Sequence, residues 1–274
     1  MPETALYLQT ETSLFMMSIV IKTASGNAIV IDGGQPEDLP LLRDIIGDSH
    51  VKAWFLTHPH FDHITGFMKL ISDDERSLWP DKVYYNFPSL EFMEKTEPNE
   101  SWTLRDFLEI KEKVKDRAVI VKEGDSFEID ELKFNILQSY EENNPIVPLR
   151  PNDENSTGNE NSLVFKINGP NKSVLILGDT GPLGGDRLFA RHWRDLKCDI
   201  VQMAHHGHSG VGAEVYIAAE PKACLWCCRD WLYDEHPFVL SDRLCGTVMT
   251  RKWMDAIGVK EHYVTKDGTH KILI

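Results

Sequence analysis

The sequence has no apolar run long enough to cross a bilayer: Leu14–Ile21 stops far short of the roughly 20 residues that a spanning helix needs. A membrane partner is therefore not expected. The start, Met1-Pro2-Glu3, lacks the cationic region of a secretory signal, so the expected location is the cytoplasm. Cysteine is scarce. Five in 274 residues form an odd set in a large chain, which argues for reduced thiols over a disulfide framework. Cys224-x-x-Cys227-Cys228 has no second pair to complete a zinc ribbon, and Leu225-Trp226 read as buried strand, so structural cysteines are expected. Positive charge is also short, with 29 Lys plus Arg against 43 Asp plus Glu and a formal net charge of −14. Such a field repels free nucleic acid and anionic membrane at long range. No internal repeat or interdomain linker is evident, and residues 1–274 are expected to form one domain.

What is present is a 42% apolar chain in which short runs rich in Val, Ile and Phe alternate with turn signals and helix-period segments. The pattern predicts strands near Ser13–Lys22, Ala28–Ile31, Ala53–Leu56, Val83–Tyr85, Leu132–Leu137, Leu163–Ile167, Ser173–Leu177, Ile200–Met203, Ala223–Trp226, His262–Val264 and Lys271–Leu273. Helices are predicted over Leu39–Ile46, Ile64–Leu70, Trp102–Val114, Asp186–Leu196, Ala213–Ala219 and Thr250–Ile257. Clusters of strands with helices between them imply two sheets packed together and covered by helices. Two segments, Trp79–Asn99 and Tyr140–Asn159, are irregular and suggest functional loops. Tyr84, Tyr85 and Trp102 are candidates for a substrate wall or for core packing, and Gly181–Gly185 reads as a flexible turn.

Histidine is concentrated. His58 and His60 are one residue apart after the apolar run Ala53–Leu56, so in extended backbone both imidazoles project to one side, close enough to share an ion. Asp62 and His63 follow on the way into a helix, where they can face a second ion. His236, His262 and His270 read as structural or surface groups.

His58-x-His60-x-Asp62-His63 resembles the signature of the metallo-β-lactamase superfamily. The resemblance implies an α/β fold, a four-layer αβ/βα sandwich of two mixed sheets flanked by helices, with a metal site where the sheets meet. It also implies further residues. Asp32, ending the run Ile29–Ile31, would support the metal loop through hydrogen bonds without binding metal. Asp179, after Val174–Leu177, would bridge two ions, and one of the histidines in His205-His206-Gly207 would bind metal. His205 is taken as that ligand on the family's His-His-Gly pattern, and His206 as a proton donor or substrate contact. His208 and Ser209 are further candidates for touching substrate.

Between His63 and Asp179 the chain has no histidine, where most superfamily members supply one more ligand. The stretch reads Gly158-Asn159-Glu160-Asn161-Ser162-Leu163-Val164-Phe165 and is similar to the branch containing the hydrolase domain of ComEC-type DNA-uptake proteins and the teichoic-acid phosphorylcholine esterases. Asn161 is expected to hydrogen-bond metal-bound solvent or a substrate oxygen. A first site of His58, His60 and Asp179 would be more open than a second of Asp62, His63, Asp179 and His205. The implied activity is a dinuclear phosphodiesterase with a metal-bridging hydroxide as nucleophile, the cofactor two divalent ions, zinc before manganese or iron. The substrate expected is a small or surface-tethered phosphodiester and not bulk nucleic acid. An acyl hydrolase, or a non-catalytic metal-stabilised binding protein, is the alternative.

Overall fold

In the computed structural model, residues 3–12, 15–149, 156–235 and 246–274 are described. The expectations that fall on Ser13, Leu14, positions 150–155 of the second irregular segment, His236 and the fifth cysteine, Cys245, lie outside these residues. The first sheet is built from β1 (Ala5–Leu8), β2 (Ser18–Lys22), β3 (Asn27–Asp32), β4 (His50–Phe55), β5 (Lys82–Tyr85) and β6 (Ala118–Ile120). The second holds β7 (Ser126–Ile129), β8 (Leu132–Gln138), β9 (Val164–Asn168), β10 (Ser173–Ile176), β11 (Ile200–Gln202), β12 (Ala223–Trp226) and β13 (Glu261–Val264), after which β14 (His270–Leu273) returns to the first. Strand orders are β14-β1-β2-β3-β4-β5-β6 and β13-β12-β11-β10-β9-β8-β7.

Each sheet joins an antiparallel meander to a parallel run, the change falling between β3 and β4 in one and between β10 and β11 in the other. Parallel pairs need crossovers, and helices supply them. The helices are α1 (Leu39–Ile46), α2 (Phe61–Ser72), α3 (Leu90–Thr96), α4 (Ser101–Lys111), α5 (Thr157–Glu160), α6 (Pro182–His192), α7 (Ala213–Ala219), α8 (Asp230–Glu235) and α9 (Thr247–Ile257), of which α5 lies in the antiparallel β8–β9 connection.

Side chains alternate across each strand, and here both faces are apolar because both are covered. From β3, Ile29 and Ile31 enter the layer between the sheets while Ala28 and Val30 face α1 and α2. Between the sheets, Phe55 stacks on Phe134 and Phe165, each with ring centroids 4.9 Å apart. Burying each such side chain contributes about 1.5–3 kcal/mol. Outside the second sheet, Leu175, Val201 and Trp226 pack under Leu188, Tyr216 and Met254. The result is the expected four-layer sandwich. Cys198, Cys224, Cys227 and Cys228 are buried free thiols within these layers, and burial pushes Cys198 up to about 12.

Several local expectations are corrected. The segment Gly181–Gly185 is not a flexible turn: Pro182 opens α6, and a Cβ on Gly184 would lie 2.6 Å from the Glu160 carbonyl oxygen, so glycine lets the helix start against that turn. Tyr84 is no substrate wall, since it stacks on Phe55 at 4.7 Å. Trp102 is 41% exposed on α4. Tyr85 lines a separate cavity of about 1010 Å³ with Phe87, Phe107 and Tyr140. No helix among the described residues is long and apolar enough to cross a membrane.

Candidate metal centre

The residues that follow β3, β4, β10 and β11 converge at one edge of the sandwich. β3 ends at Asp32, whose φ of 61° turns the chain sharply into Gly33-Gly34. Helix α2 then lies hard against this turn: Gly66 donates to the Gly34 carbonyl at 2.8 Å, and a Cβ on Gly66 would stand 2.6 Å from the Gly33 oxygen. The buried Asp32 carboxylate accepts the Thr57 N–H at 2.7 Å, the Thr57 hydroxyl at 2.8 Å and His63 Nδ1 at 2.7 Å. The Thr57 oxygen lies 3.1 Å from His58 Nδ1. Asp32 thus lies behind the loop and orients it.

The helix begins at Phe61, three residues before the sequence pattern suggested, so Asp62 and His63 sit in its first turn. Across from them, Asp179 follows β10, and His205 and His206 follow β11 with φ of 50° and 56°. Left-handed backbone costs a non-glycine residue on the order of 1–3 kcal/mol and persists where the surroundings over-determine it. Here His206 is held at both ring nitrogens: Nδ1 lies 2.8 Å from the Cys227 carbonyl, and Nε2 lies 3.0 Å from Asp62 Oδ2 and 3.3 Å from Asp179 Oδ2.

Asp62, His63, Asp179 and His206 each offer one ligand atom, and these atoms all lie within 4.8 Å of one another. All four are buried. His58 Nε2 stands 3.9 Å from Asp179 Oδ2, and its ring is 4.5 Å from that of His60. His58 Nε2, His63 Nε2 and Asp179 Oδ1 are buried and have no hydrogen-bond partner among the described residues. Buried polar atoms left without a partner are costly unless an ion or solvent satisfies them. The donor set of imidazoles and carboxylates, with opposite ring nitrogens already anchored by protein acceptors, fits a divalent cation.

The electrostatics agree. Burial disfavours charge on His63, but Asp179, Asp62 and Asp32 outweigh it and hold its pKa well above the usual value. His206 is likewise pushed up to about 10 against the cost of burial, by Asp179 and Asp62. Asp179 is held well below the carboxylate range because His63 and His206 overcome its desolvation. His58, dominated by burial and then by His63 and His60, is driven well down and stays neutral. Positive charge is therefore wanted at the centre of this group.

A family model described as the metallo-beta-lactamase superfamily matches residues 16–210. The chain belongs to that superfamily. Its members are generally metal-dependent hydrolases, and the metallo-beta-lactamase fold here carries a candidate metal site of His and Asp. The chain is 10% identical to the metallo-beta-lactamase fold protein YhfI from Bacillus subtilis, with a TM-score of 0.55 over 98% of this chain and 99% of that one. It is 12% identical to zinc-bound PqqB from Methylobacterium extorquens, with a TM-score of 0.57 over 99% and 100%. These likenesses show the fold. A stretch of 53 residues is 30% identical to the uncharacterized protein YcaI of Escherichia coli K12, covering 19% of this chain and 7% of that protein.

Two of the expected roles change within this metallo-beta-lactamase site. His205 was expected to complete the second site and His206 to donate protons. The geometry sets the His206 ring against Asp62 and Asp179, so that His206 and not His205 falls within the candidate metal cluster. His205 instead lies 3.3 Å from the Asn159 amide nitrogen and stacks on His208 at 4.3 Å. Asn161 does not face the pocket: its amide nitrogen donates to the Ile146 and Thr157 carbonyls at 2.7 and 2.8 Å, and its oxygen accepts from Ile146 N. The asparagine at the site is Asn159. Its Oδ1 is buried without a partner among the described residues.

A cavity of about 650 Å³ opens over the cluster. Phe15, Phe61 and Trp231 give it an apolar side, Lys95 brings a positive charge, and His205, His208, Asn159 and Glu97 line the remainder. Phe15 leans on His206 at 5.3 Å and on Trp231 at 6.1 Å. Glu97 and Asn159 fall in Trp79–Asn99 and Tyr140–Asn159, the two segments expected to be functional loops, but no pattern singled out either residue within them, and none pointed to Trp231.

Proposed function

We propose that the protein is a metal-dependent phosphodiesterase acting on a small or surface-tethered diester. The observation that carries this reading is the convergence of Asp62, His63, Asp179 and His206 beside His58, with three buried polar atoms left without a hydrogen-bond partner among the described residues. Two divalent ions are the proposed cofactor, zinc first, with His58, His60 and Asp179 around one and Asp62, His63, Asp179 and His206 around the other. Asp179 has an oxygen for each. When bound, such ions polarise the scissile group and lower the pKa of water near them to about 7.

The chain's own side chains then divide the remaining work. Asp32 and Thr57 keep the histidine loop in register. His205 and His208 line the cavity beside the cluster and are the proposed contacts to a phosphoryl oxygen or a departing alkoxide. Lys95 favours an anionic substrate, while Phe15, Phe61 and Trp231 suit one apolar or planar substituent on it. The net charge of −14 opposes a long polynucleotide. The stretch Gly158–Phe165, followed by Leu-Gly-Asp-Thr and His-His-Gly, supports placement in the branch of ComEC-type hydrolase domains and phosphorylcholine esterases.

The competing reading is an acyl hydrolase whose apolar acyl group rests on the Trp231 side. Zinc-loaded protein assayed in parallel on bis-p-nitrophenyl phosphate, a chromogenic β-lactam and an aryl thioester separates the two. Turnover of the diester above the others supports the proposal. Turnover of the lactam or thioester with an inert diester overturns it.

A further inference from the structure

Glu97 follows α3 and is buried, 7% exposed, at the rim of the metal cavity. Its Oε1 lies 2.8 Å from His60 Nε2, its Oε2 accepts the Gly158 N–H at 2.6 Å, and the Ser156 hydroxyl also donates to it. One carboxylate thus ties the second histidine of the metal loop to the turn at residues 156–161, the region where the chain supplies no histidine of its own. The fit is close: a Cβ at position 158 would come within 2.5 Å of His60 Nε2. Ser156 in turn accepts the Asn159 N–H at 3.2 Å, and Asn159 reaches His205.

A carboxylate accepts and does not donate, so the proton on the His60 ring must sit on Nε2 for this bond to form. That leaves Nδ1 as the ring's remaining lone pair. We propose that Glu97 is the positioning residue for His60, selecting the tautomer whose Nδ1 binds a divalent cation and setting the neighbouring 156–161 turn as the wall of the cavity. The role parallels that of Asp32 toward His63, reached from an element with no relation to it in sequence. The inference rests on the metal-binding half of the proposed function and is independent of which bond is hydrolysed.

Glu97→Gln is the test because it separates positioning from packing. The amide oxygen can still accept from Gly158 N–H, so the turn is kept, but the amide nitrogen is a donor and favours the His60 tautomer with its proton on Nδ1. We expect a fold and melting profile close to the parent, a 10–100-fold weaker affinity for the more weakly held Zn²⁺ in chelator competition, and an altered Co²⁺ visible spectrum. An unchanged affinity and spectrum in the folded variant overturn the proposal. A variant that does not fold leaves the parent to decide: ¹⁵N NMR of zinc-loaded protein must find the His60 proton on Nε2, and a proton on Nδ1 overturns it. No substrate is used, so an inert phosphodiester assay has no bearing on the outcome.

Discussion

His206 Nε2 lies 3.0 Å from Asp62 Oδ2, across 144 positions of sequence, and this contact places the second histidine of His-His-Gly within the candidate metal cluster. His206→Ala should lose about one equivalent of metal and reduce turnover by roughly 10²–10³-fold, the scale of removing one strong electrostatic contact. His205→Ala should keep its metal and lose turnover chiefly on substrates with poor leaving groups. Elemental analysis beside diester kinetics checks both, and full metal content in the His206 variant contradicts the assignment.

Asp32 accepts from three donors on the metal loop and is fully buried. Replacing it with asparagine puts an amide nitrogen against Thr57 N–H or His63 Nδ1–H, where a donor meets a donor. The expected result is a 10–100-fold weaker metal affinity with a lower melting temperature. Thr57→Val, which removes only the hydroxyl bonds, should show the same direction with a smaller effect. Chelator competition followed by thermal melts measures the pair.

How far the sequence revealed this depended on how local each feature is. Strand β12 was read residue for residue as Ala223–Trp226 because its run is apolar on both faces and flanked by breaks. Strands β6 and β7 escaped notice because each lies at a sheet edge and is short: Ala118–Ile120 is apolar but only three residues long, and Ser126–Ile129 alternates over only four, too few for a period to stand out. The histidine loop was legible because its members adjoin one another. The choice between His205 and His206 was not, since it turns on two left-handed residues whose conformation the tertiary contacts impose. Glu97 and Asn159 arrive from segments without periodicity, and no pattern in sequence links them to position 60 or 205.

Asn161 and Asn159, two residues apart, should separate stability from chemistry. Asn161→Ala strands the Ile146 N–H and carbonyl that its side chain now satisfies, at a cost of about 1–3 kcal/mol, while leaving metal affinity unchanged. Asn159→Ala should melt near the parent temperature yet weaken substrate binding, because Asn159 lines the cavity and its Oδ1 has no hydrogen-bond partner among the described residues. Denaturant titration and KM values for the two variants test this. A kinetic defect in Asn161→Ala at full stability contradicts the division.

Metal binding should release protons. Among the protein's own groups, His206 with a pKa of about 10 and His63 with one well above its usual value are protonated at neutral pH, held so by Asp179 and Asp62. A raised histidine pKa gives stability that is fully present below about 6.5 and is lost as pH rises through about 10. A cation taken up at neutral pH must displace the His206 proton, so apparent affinity should climb with pH up to that value, by as much as tenfold per pH unit for each proton displaced. Asp179, held below the carboxylate range, stays ionised over this span and adds no opposing slope. Calorimetric Zn²⁺ titrations in buffers of different ionisation enthalpy read the protons directly. Heats that do not vary with the buffer at pH 7 mean that His206 and His63 are not ligands at the centre.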